Sequence, residues 1–310
     1  MSAVLLTSVL FITVSIVPVV NAVAIVLVPL PLFYFYMKCG DTKAMGIFLV
    51  SLAVAFSVLS HLEAGGNIYM LYLLGAFGLI LPAMIARLHT IEKTVVYSAA
   101  SLVMLGAMLV TAHSLVSGRT PFGLVETYMA SAVQESIDAY STTGAGPEQV
   151  EFLKSNASWV TSMMMQLAPS LVAAGTCFLA WLNILAGKML CKATRVTFPD
   201  LGDLSRWKID DRVIWFAIAS GILILIPLPS VRVPGLNMLI LSLFLYLLQG
   251  MAIISYYFES RGVPMYLRLP AYILIFIQVI FLFAVIVVGV ADIWIDFRKL
   301  QRVSGATPGG

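Results

Sequence analysis

Four carboxamide side chains interrupt long apolar stretches of this sequence: Asn183, Asn237, Gln249 and Gln278. A polar group in such a stretch needs a partner or a cavity, because an apolar surrounding offers it no hydrogen bonds. Carboxamides both donate and accept hydrogen bonds, which suits a neutral polar ligand. They also suit an interhelical hydrogen bond, worth about 0.6 kcal/mol on average. We therefore predict these four as ligand-binding residues, with interhelical bonding as the alternative.

A first charged cluster, Arg206, Trp207 and Lys208, precedes one of the last apolar stretches. Its cations can reach lipid phosphates, and its indole can anchor at the headgroups. The same side chains can form a docking surface for a cytoplasmic partner. We predict partner docking and keep lipid contact as the alternative.

A second charged cluster, Asp292, Asp296 and Arg298, closes the final apolar stretch. The two aspartates are four residues apart, so a continuous helix would place them on one face. The pattern predicts a further docking surface. A solvated helix end and a structural latch remain open as alternatives.

Several classes of function are not indicated by any motif. The sequence contains no GxxxxGK[ST] phosphate loop, no GxSxG and no HExxH. The three cysteines show no CxxC spacing and the three histidines no HxxxH spacing, so we expect no metal and no cofactor. The net charge of +3 comes without a basic block, which argues against nucleic acid. We expect a protein that is not an enzyme.

The composition indicates a membrane protein. Of the 310 residues, 61% are hydrophobic and 11% are charged, and the mean hydropathy is +1.00. Soluble domains have about 25% charged residues. So many apolar residues cannot all be buried in one soluble core, and we expect a lipid bilayer to surround the rest.

We predict an all-α fold, a polytopic transmembrane bundle of eight or nine passes with a short extramembrane helical insertion. A pass needs about 20 apolar residues. A tight turn at Pro18–Asn21 separates the first two passes, although one long kinked pass is the alternative. The predicted passes are about 3–17, 20–37, 44–60, 68–85, 95–115, 163–190, 213–228, 235–257 and 270–290.

Residues 116–162 carry five acidic side chains against two basic ones, Arg119 and Lys154. They are predicted to form two amphipathic helices, 121–140 and 147–160, outside the hydrocarbon. Nine passes with the N-terminus inside place most basic residues in inner loops, but place Arg298 outside. The predicted segments are N-terminal transmembrane helices 1–115, the insertion 116–162, C-terminal transmembrane helices 163–298, and a flexible tail 299–310.

The last third of the chain resembles the YybS-like family of bacterial membrane proteins. Four motifs carry the resemblance: Leu204-Ser-Arg-Trp-Lys208, Gly235-Leu-Asn237, Leu248-Gln-Gly250, and Gly289-x-x-Asp-x-Trp-x-Asp-Phe-Arg298. That family is distantly similar to the substrate-binding S subunits of energy-coupling-factor transporters. The resemblance implies an inner-membrane subunit that captures a small molecule and works with separate ATPase and transmembrane coupling subunits.

Two hypotheses follow. The first is an S-subunit-like binding or transport subunit that holds a small polar or vitamin-like ligand among the last helices. The second is a non-transporting envelope scaffold for cell-shape, division or sporulation machinery, with residues 116–162 and the 188–212 loop as its working surfaces.

Overall fold

A computed structural model describes residues 2–16, 26–61, 68–88, 90–142 and 146–299. Within these ranges the chain forms twelve α-helices and one 3-10 turn, and no strand. The predicted all-α fold is confirmed. The predicted turn at Pro18–Asn21 and nearly all of the predicted tail, 300–310, lie outside the described residues.

The helices are numbered here in chain order. They are α1 (Ser2–Ile16), α2 (Pro29–Cys39), α3 (Asp41–His61), α4 (Ile68–Leu88), α5 (Ile91–Ser117), α6 (Pro121–Thr142), α7 (Pro147–Ser155), α8 (Ala157–Ala193), α9 (Val213–Leu225), α10 (Pro229–Ser260), α11 (Met265–Ile277) and α12 (Val279–Ile295), with the 3-10 turn at Leu204–Arg206.

Five helices are long and apolar enough to cross a membrane: α3, α4, α5, α8 and α10. A sixth crossing is available if α11 and α12 count as one broken span, and α1 and α9 are shorter apolar helices. The described residues thus contain five or six candidate spans, and the count of eight or nine passes stays a prediction. The predicted continuous pass 270–290 is wrong, since the chain bends by 102° between α11 and α12.

Two compact units divide the chain, Met1–Met165 with Gly175–Leu201, and Gln166–Ala174 with Gly202–Gly310. In the first unit α4 is the central helix and packs against α2, α3 and α5. Half of its 18-residue apolar segment is buried. Large side chains such as Phe11, Leu32 and Phe48 fill this core. A helix that packs on protein with part of its surface and faces lipid with the rest can be apolar on every side.

The segment between α5 and α8 forms the two helices that the sequence predicted, α6 and α7. They enclose a small core of Val133, Ile137 and Val150, while their acidic side chains face outward. The second helix ends at Ser155 rather than at residue 160, because α8 already begins at Ala157. Neither helix is among the candidate membrane spans.

The second unit is built around α10, in which half of an 18-residue apolar segment is also buried. Its 32 residues correspond to about 48 Å, longer than a hydrocarbon core of about 30 Å. Helices α9 and α12 and the 3-10 turn all pack on it. The polar residues Asn237, Tyr246 and Gln249 lie on this helix.

Candidate functional site

A buried polar cluster joins α10 to the chain around the end of α12. The Nε2 atom of Gln249 donates a hydrogen bond to Oδ2 of Asp292 over 3.0 Å. The Nη2 atom of Arg298 lies 2.8 Å from the same oxygen. All three side chains are almost completely shielded from solvent. The carboxylate is thus paired with both the guanidinium and the carboxamide, and these bonds offset the cost of burying the three polar groups.

The loop before α9 closes the cluster from another direction. The Nη1 atom of Arg298 donates to the carbonyl oxygens of Ser205, at 3.0 Å, and Trp207, at 2.7 Å. The backbone N–H of Ile209 donates to Oε1 of Gln249 over 3.2 Å. Both ends of the Gln249 carboxamide are therefore engaged within the protein.

Local backbone geometry places Arg298 where it can reach inward. Helix α12 ends at Ile295, and Asp296 adopts a left-handed conformation with φ of 44°. The N–H of Phe297 then donates to Oδ1 of Asp292 over 2.9 Å. This turn sends the chain back toward its own helix, so that the guanidinium meets the carboxylate. The prediction that Asp292 and Asp296 share a helix face is wrong, because Asp296 already lies beyond the helix.

Two glycines allow the main chains of α10 and α12 to approach closely. A Cβ atom at Gly250 would clash with the carbonyl oxygen of Val285, and one at Gly289 would clash with that of Tyr246. Because neither position has a side chain, Gln249 and Asp292 come within hydrogen-bonding distance. The motif residues Gln249, Gly250, Gly289 and Asp292 are thus parts of one helix crossing.

The predicted docking cations differ in their surroundings. Arg206 is exposed and lies 3.4 Å from the carboxylate of Asp203. The Nζ atom of Lys208 lies 2.8 Å from Oδ1 of Asp211, and Trp207 is half-buried. Arg206 thus presents its side chain to a surface, whereas Asp292 and Arg298 face each other inside the protein.

Asn237 joins α10 to the middle of α8. Its Nδ2 atom donates to the carbonyl oxygen of Gln166 over 2.9 Å, and its Oδ1 atom accepts from the backbone N–H of Ser170 over 3.0 Å. These two groups are the acceptor and donor that an α-helix pairs four residues apart. They lie on either side of Pro169, which has no N–H to contribute. One carboxamide therefore bonds both edges of a proline-interrupted turn, which is the interhelical alternative for this residue.

Asn183 lies in the first unit, in α8. Its Nδ2 atom donates to the carbonyl oxygens of Val26 and Leu179, each over 2.9 Å. Its Oδ1 atom is buried and accepts no hydrogen bond from the described residues. In the second unit, Tyr246 Oη and Arg298 Nε are likewise buried without a partner among those residues. Sequence reasoning did not single out Tyr246, because a tyrosine in an apolar run is ordinary.

Gln278 lies at the break between α11 and α12. It has an extended backbone, and its side chain is exposed. Of the four predicted ligand-binding amides, it is the one whose side chain lies exposed at a helix break. Gln249 and Asn237 occupy different stretches of α10, so the structure does not bring the second unit's three amides into one constellation.

The family described as "Predicted membrane protein (DUF2232)" matches residues 5–293. This chain belongs to that family. No curated protein and no solved structure matches the chain.

The DUF2232 match covers all five candidate spans, the four predicted amides and Asp292, and it ends before Arg298. A multi-pass membrane protein is therefore established at the level of the family. The resemblance to YybS-like proteins and to transporter S subunits stays a prediction. Among the described residues, no three His, Cys, Asp or Glu side chains come together in a metal-binding arrangement.

Proposed function

We propose that this DUF2232 protein is a membrane-embedded binding or transport subunit for a small polar or vitamin-like molecule. It would act in the cytoplasmic (inner) membrane without catalysing a reaction. Separate ATPase and transmembrane coupling subunits would supply the energy, as the resemblance to S subunits implies.

The observation that carries this proposal is the break at Gln278. Apolar helices α11 and α12 together have the length of a span, yet they bend by 102° at this residue. Discontinuous membrane helices are typical of transporters, because their interrupted turns offer polar groups to a substrate within the bilayer. The exposed Gln278 carboxamide has donors and an acceptor for a neutral polar molecule.

Purification in mild detergent tests this proposal at two levels. Mass spectrometry of the co-purifying proteins should identify an ATPase pair and a transmembrane coupling subunit. Native mass spectrometry of the same preparation should show a bound small molecule. In a Gln278→Leu variant that adduct should disappear, whereas Gln278→Asn should retain part of it. An adduct of unchanged occupancy in Gln278→Leu would remove Gln278 from the site.

A specific surface feature favours a second candidate, the envelope scaffold. A cavity of about 430 Å³ opens on helices α6 and α7, lined by Tyr140, Glu148, Gln149, Val150, Phe152 and Leu153. Phe152 is 64% exposed, and Glu148 lines the same cavity. Further acidic side chains are exposed on both helices. An exposed aromatic side chain on an acidic pair of helices suits a basic protein partner.

Cross-linking pull-down from membranes separates the two candidates. A scaffold should lose its envelope partners when Phe152 is replaced by Ala. Phe122→Ala provides a matched control, because Phe122 is 68% exposed on α6 but does not line the cavity. Equal recovery of the partners with both variants would eliminate the cavity as their docking surface.

A further inference from the structure

The two helices that flank Gln278 are each too short to cross a bilayer alone. Helix α11 has 13 residues and α12 has 17, which correspond to about 20 and 25 Å against a hydrocarbon core of about 30 Å. A broken span would carry the chain from one face to the other. A re-entrant hairpin would return it to the face from which it started.

The start of the pair is fixed by its connection to α10. Helix α10 ends at Ser260 and α11 begins at Met265. The guanidinium of Arg268 donates to the carbonyl oxygens of Val263, at 2.7 Å, and Phe258, at 3.3 Å. The first turn of α11 is thereby held at the C-terminal end of α10.

The end of the pair is fixed at the same place. The hydroxyl of Tyr257 donates to the carbonyl oxygen of Phe297 over 3.0 Å, and Tyr257 lies in the last turn of α10. Arg298 also bonds to the 204–207 loop, as described above. A transmembrane path would leave Phe297 about 30 Å from that end of α10, which is incompatible with a hydrogen bond.

We infer that α11 and α12 form a re-entrant hairpin. The chain enters the bilayer after Pro264, turns at Gln278 within the hydrocarbon, and returns Phe297 to the face that it left at Ser260. This inference concerns membrane topology and holds whether or not Gln278 binds a ligand.

The tip of the hairpin has the properties that burial in lipid requires. Its flanking side chains, Ile277, Val279 and Ile280, are apolar and between 66% and 72% exposed. The backbone polar groups of Gln278 are also hydrogen-bonded at the break. Its N–H donates to the carbonyl oxygen of Leu274, and its carbonyl oxygen accepts from the N–H groups of Phe281 and Leu282. Irregular backbone at membrane depth needs this kind of compensation.

The charge distribution supports the same topology. A transmembrane path would place Arg298 and Lys299 opposite Arg261 and Arg268, against the positive-inside rule. The hairpin places all four on one face, which is then the cytoplasmic one, together with Arg206, Lys208 and Arg212.

Single cysteines introduced into the full-length chain test this inference after the native cysteines, Cys39, Cys177 and Cys191, have been replaced by Ala. A membrane-impermeant maleimide is applied to intact and to inverted vesicles. Lys299→Cys should label with the sidedness of Arg261→Cys and opposite to that of Arg232→Cys, at the other end of α10. All three target side chains are exposed.

Labelling of Lys299→Cys from the side of Arg232→Cys would overturn the hairpin. A reporter fused to the C-terminus of the unmodified chain gives an independent reading that does not depend on removing cysteines. A green fluorescent protein fused there should fluoresce, because the hairpin places the C-terminus on the cytoplasmic face. Activity of an alkaline phosphatase fused at the same position would contradict this placement. Because neither measurement involves a ligand, the hairpin and the proposed binding function succeed or fail separately.

Discussion

The Nη2 atom of Arg298 lies 2.8 Å from Oδ2 of Asp292, and the two side chains are 0% and 1% exposed. The pair bridges only six positions of the chain, yet it holds the loop before α9 and the end of α12 together. Buried charges of this kind are strongly interdependent, since each becomes costly when the other is removed.

We expect Arg298→Met to destabilise the protein by about 3–5 kcal/mol, because it leaves the Asp292 carboxylate buried without its cation. The measurement is thermal unfolding of the purified chain in detergent. Arg206→Met is the matched control: it removes an arginine from an ion pair whose side chains are 63% and 53% exposed, and such pairs contribute about 0–1 kcal/mol.

The double variant Asp292→Leu with Arg298→Met provides a second check on the same pair. Removal of both charges leaves no uncompensated ion, so the double variant should unfold at a higher temperature than Arg298→Met alone. Strictly additive losses would show that the two charges are not coupled.

Close helix approach at Gly250 and Gly289 gives a separate prediction. Gly289→Ala should cost about 1–3 kcal/mol or more, because its methyl group would collide with the Tyr246 carbonyl and push α12 away from α10. Gly221→Ala in α9 is the control, since a Cβ there meets no atom within 4 Å. Its greater helix propensity should leave the unfolding temperature equal or slightly raised.

The fold was largely accessible from the sequence, but the break at Gln278 was not. Hydropathy depends on composition over about 20 residues, and the stretch from Ile275 to Phe283 contains no Pro or Gly to mark a helix end. A single Gln in an apolar run indicates only a need for hydrogen bonds. The direction of the chain after it depends on the tertiary contacts of Tyr257 and Arg298.

The polar cluster shows a similar limit. The sequence indicated which residues mattered, since Gln249, Asp292 and Arg298 all lie in its motifs. Their mutual bonding depends on the left-handed turn at Asp296, which no helical periodicity reveals. A continuous helix would have placed Asp296 on the same face as Asp292, whereas in the structure only Asp292 pairs with Arg298.

Asn237 offers a prediction about α8. Asn237→Leu should destabilise the protein by about 1–3 kcal/mol, because Gln166 O and Ser170 N both lose the hydrogen bonds that the carboxamide provides. Asn237→Asp should destabilise the protein less than Asn237→Leu, since an aspartate keeps an oxygen that accepts the hydrogen bond from the Ser170 N–H. Amide hydrogen exchange of residues 166–170 locates the effect, and unchanged protection in Asn237→Leu would show that the bond is dispensable.

Gln249 separates a structural role from the ligand-binding role that its sequence context predicted. Gln249→Leu removes the donor to Asp292 and the acceptor for Ile209 N–H, both within the protein. We expect a loss of about 1–3 kcal/mol, with unchanged small-molecule occupancy in the fraction that remains folded. Unfolding temperature and native mass spectrometry on one preparation measure the two quantities together. A variant with wild-type stability and no bound molecule would instead assign Gln249 to the ligand, and the cluster would then have to open to admit it.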